Sequence, residues 1–284
     1  MSDRIERLFT RCRNESRAAF IPYICAGDPG FSRTVEIAHA LERGGADLLE
    51  LGVPFSDPLA DGIVNQLAAQ RALEAGATVR GVLACVREIR ARSEIPIVLY
   101  TYLNPMVQFG LSAFYREAEG AGVDGLLILD LPPDEDVEVR SDAIAHIRLV
   151  APTTPTKRIE SICARGAGFI YYVSREGVTG AQTSVAASLA EKVQAIRGFT
   201  DLPIAVGFGV SNPEQAAQVA KHADAVVVGS AIVAQIAEHG ADADLPEKIR
   251  AFVEPLARAT KMRLTEPGSL TRRRFTKPPS PTGD

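Results

Sequence analysis

Two carboxylates, Glu50 and Asp61, stand eleven residues apart in the stretch ADLLELGVPFSDPLADG, from Ala46 to Gly62. Glu50 interrupts an apolar run, Leu48, Leu49 and Leu51, of the length and flanking expected of a strand buried on both faces. A carboxylate in that place loses hydration, so it must reach a polar cavity, find a partner or keep its proton. The segment that follows carries Gly52, Pro54, Pro58 and Gly62, and predicts an ordered loop able to fold the second acid back towards the first. A desolvated acid that can both donate and accept a proton, beside one that stays ionised, is an arrangement for acid–base catalysis. A structural salt bridge for Glu50 and a helix N-cap for Asp61 are the alternatives at this level.

A second group of residues suits an anion. Gly207-Phe208-Gly209 follows one predicted strand, and Gly229-Ser230 follows the next, directly before a helix. Bare backbone amides and a hydroxyl can approach a phosphate there, although tight turns also use such glycines. Gly177, Thr179 and Gly180, in the polar loop REGVTGA, could close over the same group. Tyr23, Tyr100, Tyr102, Leu129 and Tyr171, with Phe208, could wall an apolar pocket or be ordinary core. Tyr171 is the best placed of them to hydrogen-bond towards the carboxylates.

These residues need a frame, and the pattern along the chain supplies one. Strands are predicted at 19–26, 48–51, 95–100, 125–129, 146–150, 168–173, 202–206 and 224–228. Helices are predicted between them: 33–43 with Ser32 as N-cap, 63–92 interrupted near Gly76 to Thr78, 111–119, 134–143, 155–164, 185–197 and 212–221. Helix resumes after Ser230 and runs through Lys261, and a short amphipathic helix opens the chain. Parallel strands need crossovers, and alternating helices supply them; at this length a closed (β/α)₈ TIM barrel fits better than an open sheet. Asp47, Asp124 and Asp224 each stand just before a strand, a faint internal echo of a repeated unit. We expect residues 1–261 to form one barrel domain and residues 262–284, rich in Pro, Ser, Thr and Arg, to be a disordered tail.

Composition narrows the partners. With 46 % hydrophobic residues in 284, the chain can bury a large core. A formal charge of −4 leaves no footprint for nucleic acid, and no apolar run approaches the roughly 20 residues of a membrane span. Cys12, Cys25, Cys85 and Cys163 are widely spaced, and His39, His146, His222 and His239 are scattered, so no metal site is expected. The cysteine usage and the lack of a secretory segment predict a reduced, cytoplasmic compartment.

ELGVPFSDPLADG, APTTPTKRI, GFIYYVSREGVTGA, GFGVSNPEQ and VVVGSAIV, in that order, resemble the alpha chain of tryptophan synthase, and the likeness runs from about Phe20 to Val253. The resemblance implies cleavage of indole-3-glycerol phosphate to indole and glyceraldehyde 3-phosphate, within an alpha2beta2 complex. It implies no cofactor in this chain and pyridoxal phosphate in the partner beta chain. By motif position, Glu50 would protonate the indole ring carbon, Asp61 would hold the indole N–H and Tyr171 would assist Glu50. Gly180, Gly209, Gly229 and Ser230 would bind phosphate, while Pro54, Asp57, Asn104 and Pro132 would face the beta chain. The sequence departs from the family pattern at Asn65, where an apolar wall residue is usual, and at Tyr23, where Phe is common. A stand-alone lyase, another phosphate-barrel enzyme such as a sugar-phosphate epimerase, and a non-catalytic activator of a partner are the competing readings.

Overall fold

A computed structural model of the chain describes residues 3–132, 135, 141–173, 182–207 and 209–262. Eight parallel strands close into a barrel in sequence order, β1 pairing with β8. They are β1 (Ala19–Cys25), β2 (Leu49–Gly52), β3 (Ile97–Thr101), β4 (Gly125–Ile128), β5 (Ala145–Val150), β6 (Ile170–Val173), β7 (Ile204–Gly207) and β8 (Ala225–Val228). Most were legible as short apolar runs, because strands covered on both faces have no polar side to show; β5, with His146 and Arg148, is the exception.

The helices follow the predicted alternation with four differences. α1 (Asp3–Asn14) precedes the barrel, and α2 (Phe31–Arg43) follows β1. The N-cap of α2 is Gly30 rather than Ser32; Thr34 Oγ1 instead donates to the Gly30 carbonyl at 2.9 Å and accepts from Gly27 N–H at 3.0 Å. α3 (Ile63–Glu74) and α4 (Val79–Arg90) flank the expected break. α5 (Leu103–Phe109) was not anticipated, since Asn104-Pro105 reads as a loop; proline is tolerated within a first helical turn, which has no partner for its N–H. α6 (Leu111–Ala121), α7 (Thr156–Arg165), α8 (Gln182–Arg197) and α9 (Pro213–Ala220) complete the crossovers. The expected helix 134–143 lies largely outside the described residues, and its end at Asp142 and Ala143 is a turn. The long final helix is two, α10 (Ser230–His239) and α11 (Leu245–Thr260), because Gly240 closes the first and Pro246 opens the second. The expected tail lies outside the described residues, save Met262.

Side chains alternate along each strand, so each strand feeds two cores. Phe20, Leu49, Leu51 and Leu99 face the helices. Ile21, Leu48, Val98, Leu127 and Phe169 face inward and are sealed from below by Ile5, Leu8 and Phe9 of α1. The echo before the strands has a structural cause. Asp47, Asp124 and Asp224 accept the N–H of Phe20, Ile97 and Ile204, each at the start of the preceding strand, at 3.0, 2.8 and 2.8 Å. Arg17, Arg90 and Arg197 pair with the same three acids. Backbone donors at the closed end of the barrel are thereby satisfied. Among the described residues no helix is long and apolar enough to cross a membrane.

Candidate active site

Two residues beyond the inward-facing layer, the same alternation brings Tyr23, Glu50, Tyr100, Leu129 and Tyr171 to the carboxyl end of the barrel. Register agrees: Tyr23 lies beside Glu50, Tyr100 beside Leu127 and Tyr171 beside Leu149. Ligands meet this fold at that end.

Glu50 is 2 % exposed. Burial first, and the negative charge of Asp61 second, push its pKa up to about 8, and among the described residues no ion pair to Glu50 forms. A carboxyl whose pKa lies close to neutral pH can both donate and accept. The phenols of Tyr23 and Tyr171 are also pushed up, first by burial and also by both acids, and so stay protonated. Two glycines make room for these rings. A Cβ on Gly52 would collide with the Tyr23 hydroxyl, and one on Gly207 would come within 2.6 Å of the Tyr171 hydroxyl.

Asp61 caps no helix. Gly62 is the N-cap of α3, without a side-chain cap bond. The Asp61 carboxylate instead accepts from two phenols, Tyr100 at Oδ1 (3.0 Å) and Tyr102 at Oδ2 (2.7 Å). The Tyr102 oxygen in turn accepts from the Ala60 N–H at 3.0 Å. Tyr100 and Tyr102 were expected as apolar walls, and their role as donors was missed. The signal was the spacing Tyr-x-Tyr at the end of a strand next to the acid-bearing loop, which has meaning only once β2 and β3 are neighbours.

On the opposite side of the mouth, Gly209 adopts φ +64°, where a side chain is strained, and a Cβ there would meet only open space. Gly229 is the N-cap of α10 without a side-chain cap bond, and Ser230 opens the helix. The Ser230 and Ala231 amides precede the first helical bonds, which run from the Ile232 and Val233 N–H to the Gly229 carbonyl at 2.8 and 3.1 Å, and amides in that place are the usual setting for an anion. Gly177, Thr179, Gly180 and Phe208 lie outside the described residues. Of the expected partner-facing residues, Asp57, Asn104 and Pro132 are exposed. Pro54, expected on the outside of its loop, is buried, because it continues directly from the end of β2.

Fold and mouth together define the class: a parallel (β/α)₈ barrel that presents two carboxylates on one side and the start of a helix on the other. The profile of the tryptophan synthase alpha chain family matches residues 9–261. The tryptophan synthase alpha chain of Opitutus terrae is 54 % identical over 263 residues, covering 91 % of this chain and 99 % of that one. That of Halorhodospira halophila is 49 % identical, over 90 % and 96 %. The crystal structure of the alpha subunit from Legionella pneumophila superposes with a TM-score of 0.82 at 36 % identity, over 92 % of this chain and 99 % of that one. The chain belongs to the tryptophan synthase alpha chain family. It is a carbon–carbon lyase, and the reaction is the cleavage of indole-3-glycerol phosphate.

Proposed function

We propose that Glu50 and Asp61 carry this cleavage as a proton shuttle and a charge stabiliser. Protonated Glu50 gives its proton to C3 of the indole, and positive charge develops on the ring nitrogen. Ionised Asp61, facing the ring N–H, stabilises that charge. Glu50, now a carboxylate, takes the proton of the glycerol hydroxyl next to the ring. The carbon–carbon bond then breaks, its electron pair restores the aromatic ring, and indole and glyceraldehyde 3-phosphate result. The raised pKa of Glu50 supports this reading above every other observation, since it suits both halves of the shuttle. Tyr171 supports the shuttle by hydrogen-bonding towards Glu50. Gly180, Gly209, Gly229 and Ser230 hold the phosphate through amides and a hydroxyl, and Tyr23, Leu129, Phe208 and Thr179 enclose the rest of the substrate. No step needs a metal or a cofactor from this chain.

The chain works with a beta chain that carries pyridoxal phosphate and receives the indole, in an alpha2beta2 complex. Exposed apolar side chains support a docking surface at the mouth end: Leu59, at 92 % exposure, with Ile63, Leu67 and Val107, in the segments that follow β2 and β3. Asp57, Asn104 and Pro132 lie at the same end, with Pro54 supporting the loop from within. Four free, buried cysteines fit a cytoplasmic enzyme. We assign residues 1–261 to the catalytic domain and 262–284 to a tail outside it. The test is indole release from indole-3-glycerol phosphate by the purified chain, alone and with a beta chain. Slow release that a beta chain accelerates is expected; stimulation of the partner without any lyase activity would refute the assignment of the two acids.

A further inference from the structure

The first turn of α3 carries a polar atom that neither the acid pair nor the anion site uses. Asn65 Oδ1 is buried, and among the described residues no hydrogen-bond donor meets it. Ala68, Ala69 and Ala72 follow Asn65 by three, four and seven residues, so the four side chains share one face of the helix. That face is the inner one: the alanines are buried together with Tyr23, and Tyr100 packs against the same group. α3 begins two residues after Asp61, and Gln66 Nε2 fastens its start by donating to the Asp61 carbonyl at 2.9 Å. Asn65 thus stands over the Tyr23 and Tyr100 side of the mouth, at the end where Asp61 is held.

A buried acceptor without a donor is costly to keep, and a ligand that brings the donor removes that cost. We propose that Asn65 is a specificity-determining residue whose Oδ1 accepts a hydrogen bond from the ring N–H of the bound indole, sharing that donor with Asp61. This rests on the reading above that Asp61 faces the ring nitrogen. The N–H is the only donor on the bicyclic ring, while the glycerol hydroxyls and the phosphate belong to the Glu50 and glycine side. Each Asp61 oxygen already accepts a phenol, whereas Asn65 Oδ1 meets no competing donor among the described residues. The N–H becomes a stronger donor as the ring gains positive charge, so the carboxamide dipole acts in step with the carboxylate. A site with two acceptors for one N–H should reject ring systems that lack it.

The test compares dissociation constants of 3-(indol-3-yl)propyl phosphate and its benzothiophene counterpart, which matches its shape without the N–H. Both are measured on the full-length wild type, Asn65→Leu and Asn65→Ala. The preference for the indolyl ligand is a ratio, so a lowered folded fraction cancels from it. The wild type should prefer the indolyl compound, and both variants should lose about tenfold of that preference. A wild-type preference that survives undiminished in the variants would overturn the role of Asn65 and leave Asp61 in place. No preference in the wild type would overturn both.

Discussion

The phenol of Tyr100, on β3, donates to Asp61 Oδ1 at 3.0 Å, so an acid on the loop after one strand is held by the neighbouring strand. Tyr102 holds the other oxygen at 2.7 Å and accepts from the Ala60 N–H, tying down both the side chain and the backbone of the loop. The ring of Tyr100 also meets Tyr23 edge-on, with centroids 5.0 Å apart, and Tyr23 stands beside Glu50 in the register. The two acids are therefore placed relative to each other through a pair of tyrosines rather than by direct contact.

Removing either phenolic oxygen frees one Asp61 oxygen and leaves the ring packing intact. A hydrogen bond to a charged group contributes roughly 1.5–3 kcal/mol. Tyr102→Phe, which also loses the Ala60 link, should lower kcat at least about tenfold, Tyr100→Phe somewhat less, and the double variant more than either. Steady-state cleavage assays decide this; unaltered rates would reduce both residues to the apolar walls first expected.

Glu50 should leave its mark on the pH dependence of both rate and stability. Its folded-state pKa, about 8, lies above the ordinary 4.5, so the folded chain binds the proton more tightly than the unfolded one. The stabilising effect is complete below about pH 4.5 and is lost as pH rises to about 8, by up to about 1.4 kcal/mol per pH unit. Glu50→Gln should abolish cleavage, retain substrate binding and flatten that decline in denaturant titrations across the same window. Substantial turnover by the folded variant would overturn the shuttle.

Gly209→Val should collapse affinity for glycerol phosphate while the barrel persists. No lysine or arginine neighbours either glycine loop in the sequence, so the proposed phosphate site relies on backbone amides and Ser230. The valine would be strained at φ +64° and would enter the open space in front of the amide. Calorimetric titration with glycerol phosphate checks this, and unchanged affinity in a folded variant would move the phosphate elsewhere.

Asp57 is exposed and accepts a hydrogen bond from Ser56 at 2.5 Å, four residues before Asp61. Asp57→Ala should leave basal cleavage nearly unchanged and reduce its acceleration by a beta chain several-fold. Rates measured with and without the partner separate the two effects; equal loss in both would assign Asp57 to the chemistry.

Much of this protein was readable residue by residue. Most strands are compact apolar runs with their own boundaries, and eight strands separated by helices have few ways to close. Glu50 was conspicuous because a carboxylate in such a run needs a reason, and Asp61 because a proline- and glycine-marked loop could return it. What the chain could not show locally were the partners of these groups. Whether Asp61 capped α3 or entered the mouth depended on Tyr100 and Tyr102, about forty residues on, whose hydroxyls reach it only when β2 and β3 pair. Asp47, Asp124 and Asp224 likewise gained their meaning from the amides of adjacent strands. The α5 helix escaped notice because Asn104-Pro105 reads as a loop, whereas the break between α10 and α11 has local marks, Gly240 and Pro246. Amino-acid type and spacing determine which groups can do chemistry and which face of an element they occupy, since hydrophobic periodicity is local. Which groups meet is decided by closure of the barrel, because a hydrogen bond between distant residues exists only after the strands between them are in register.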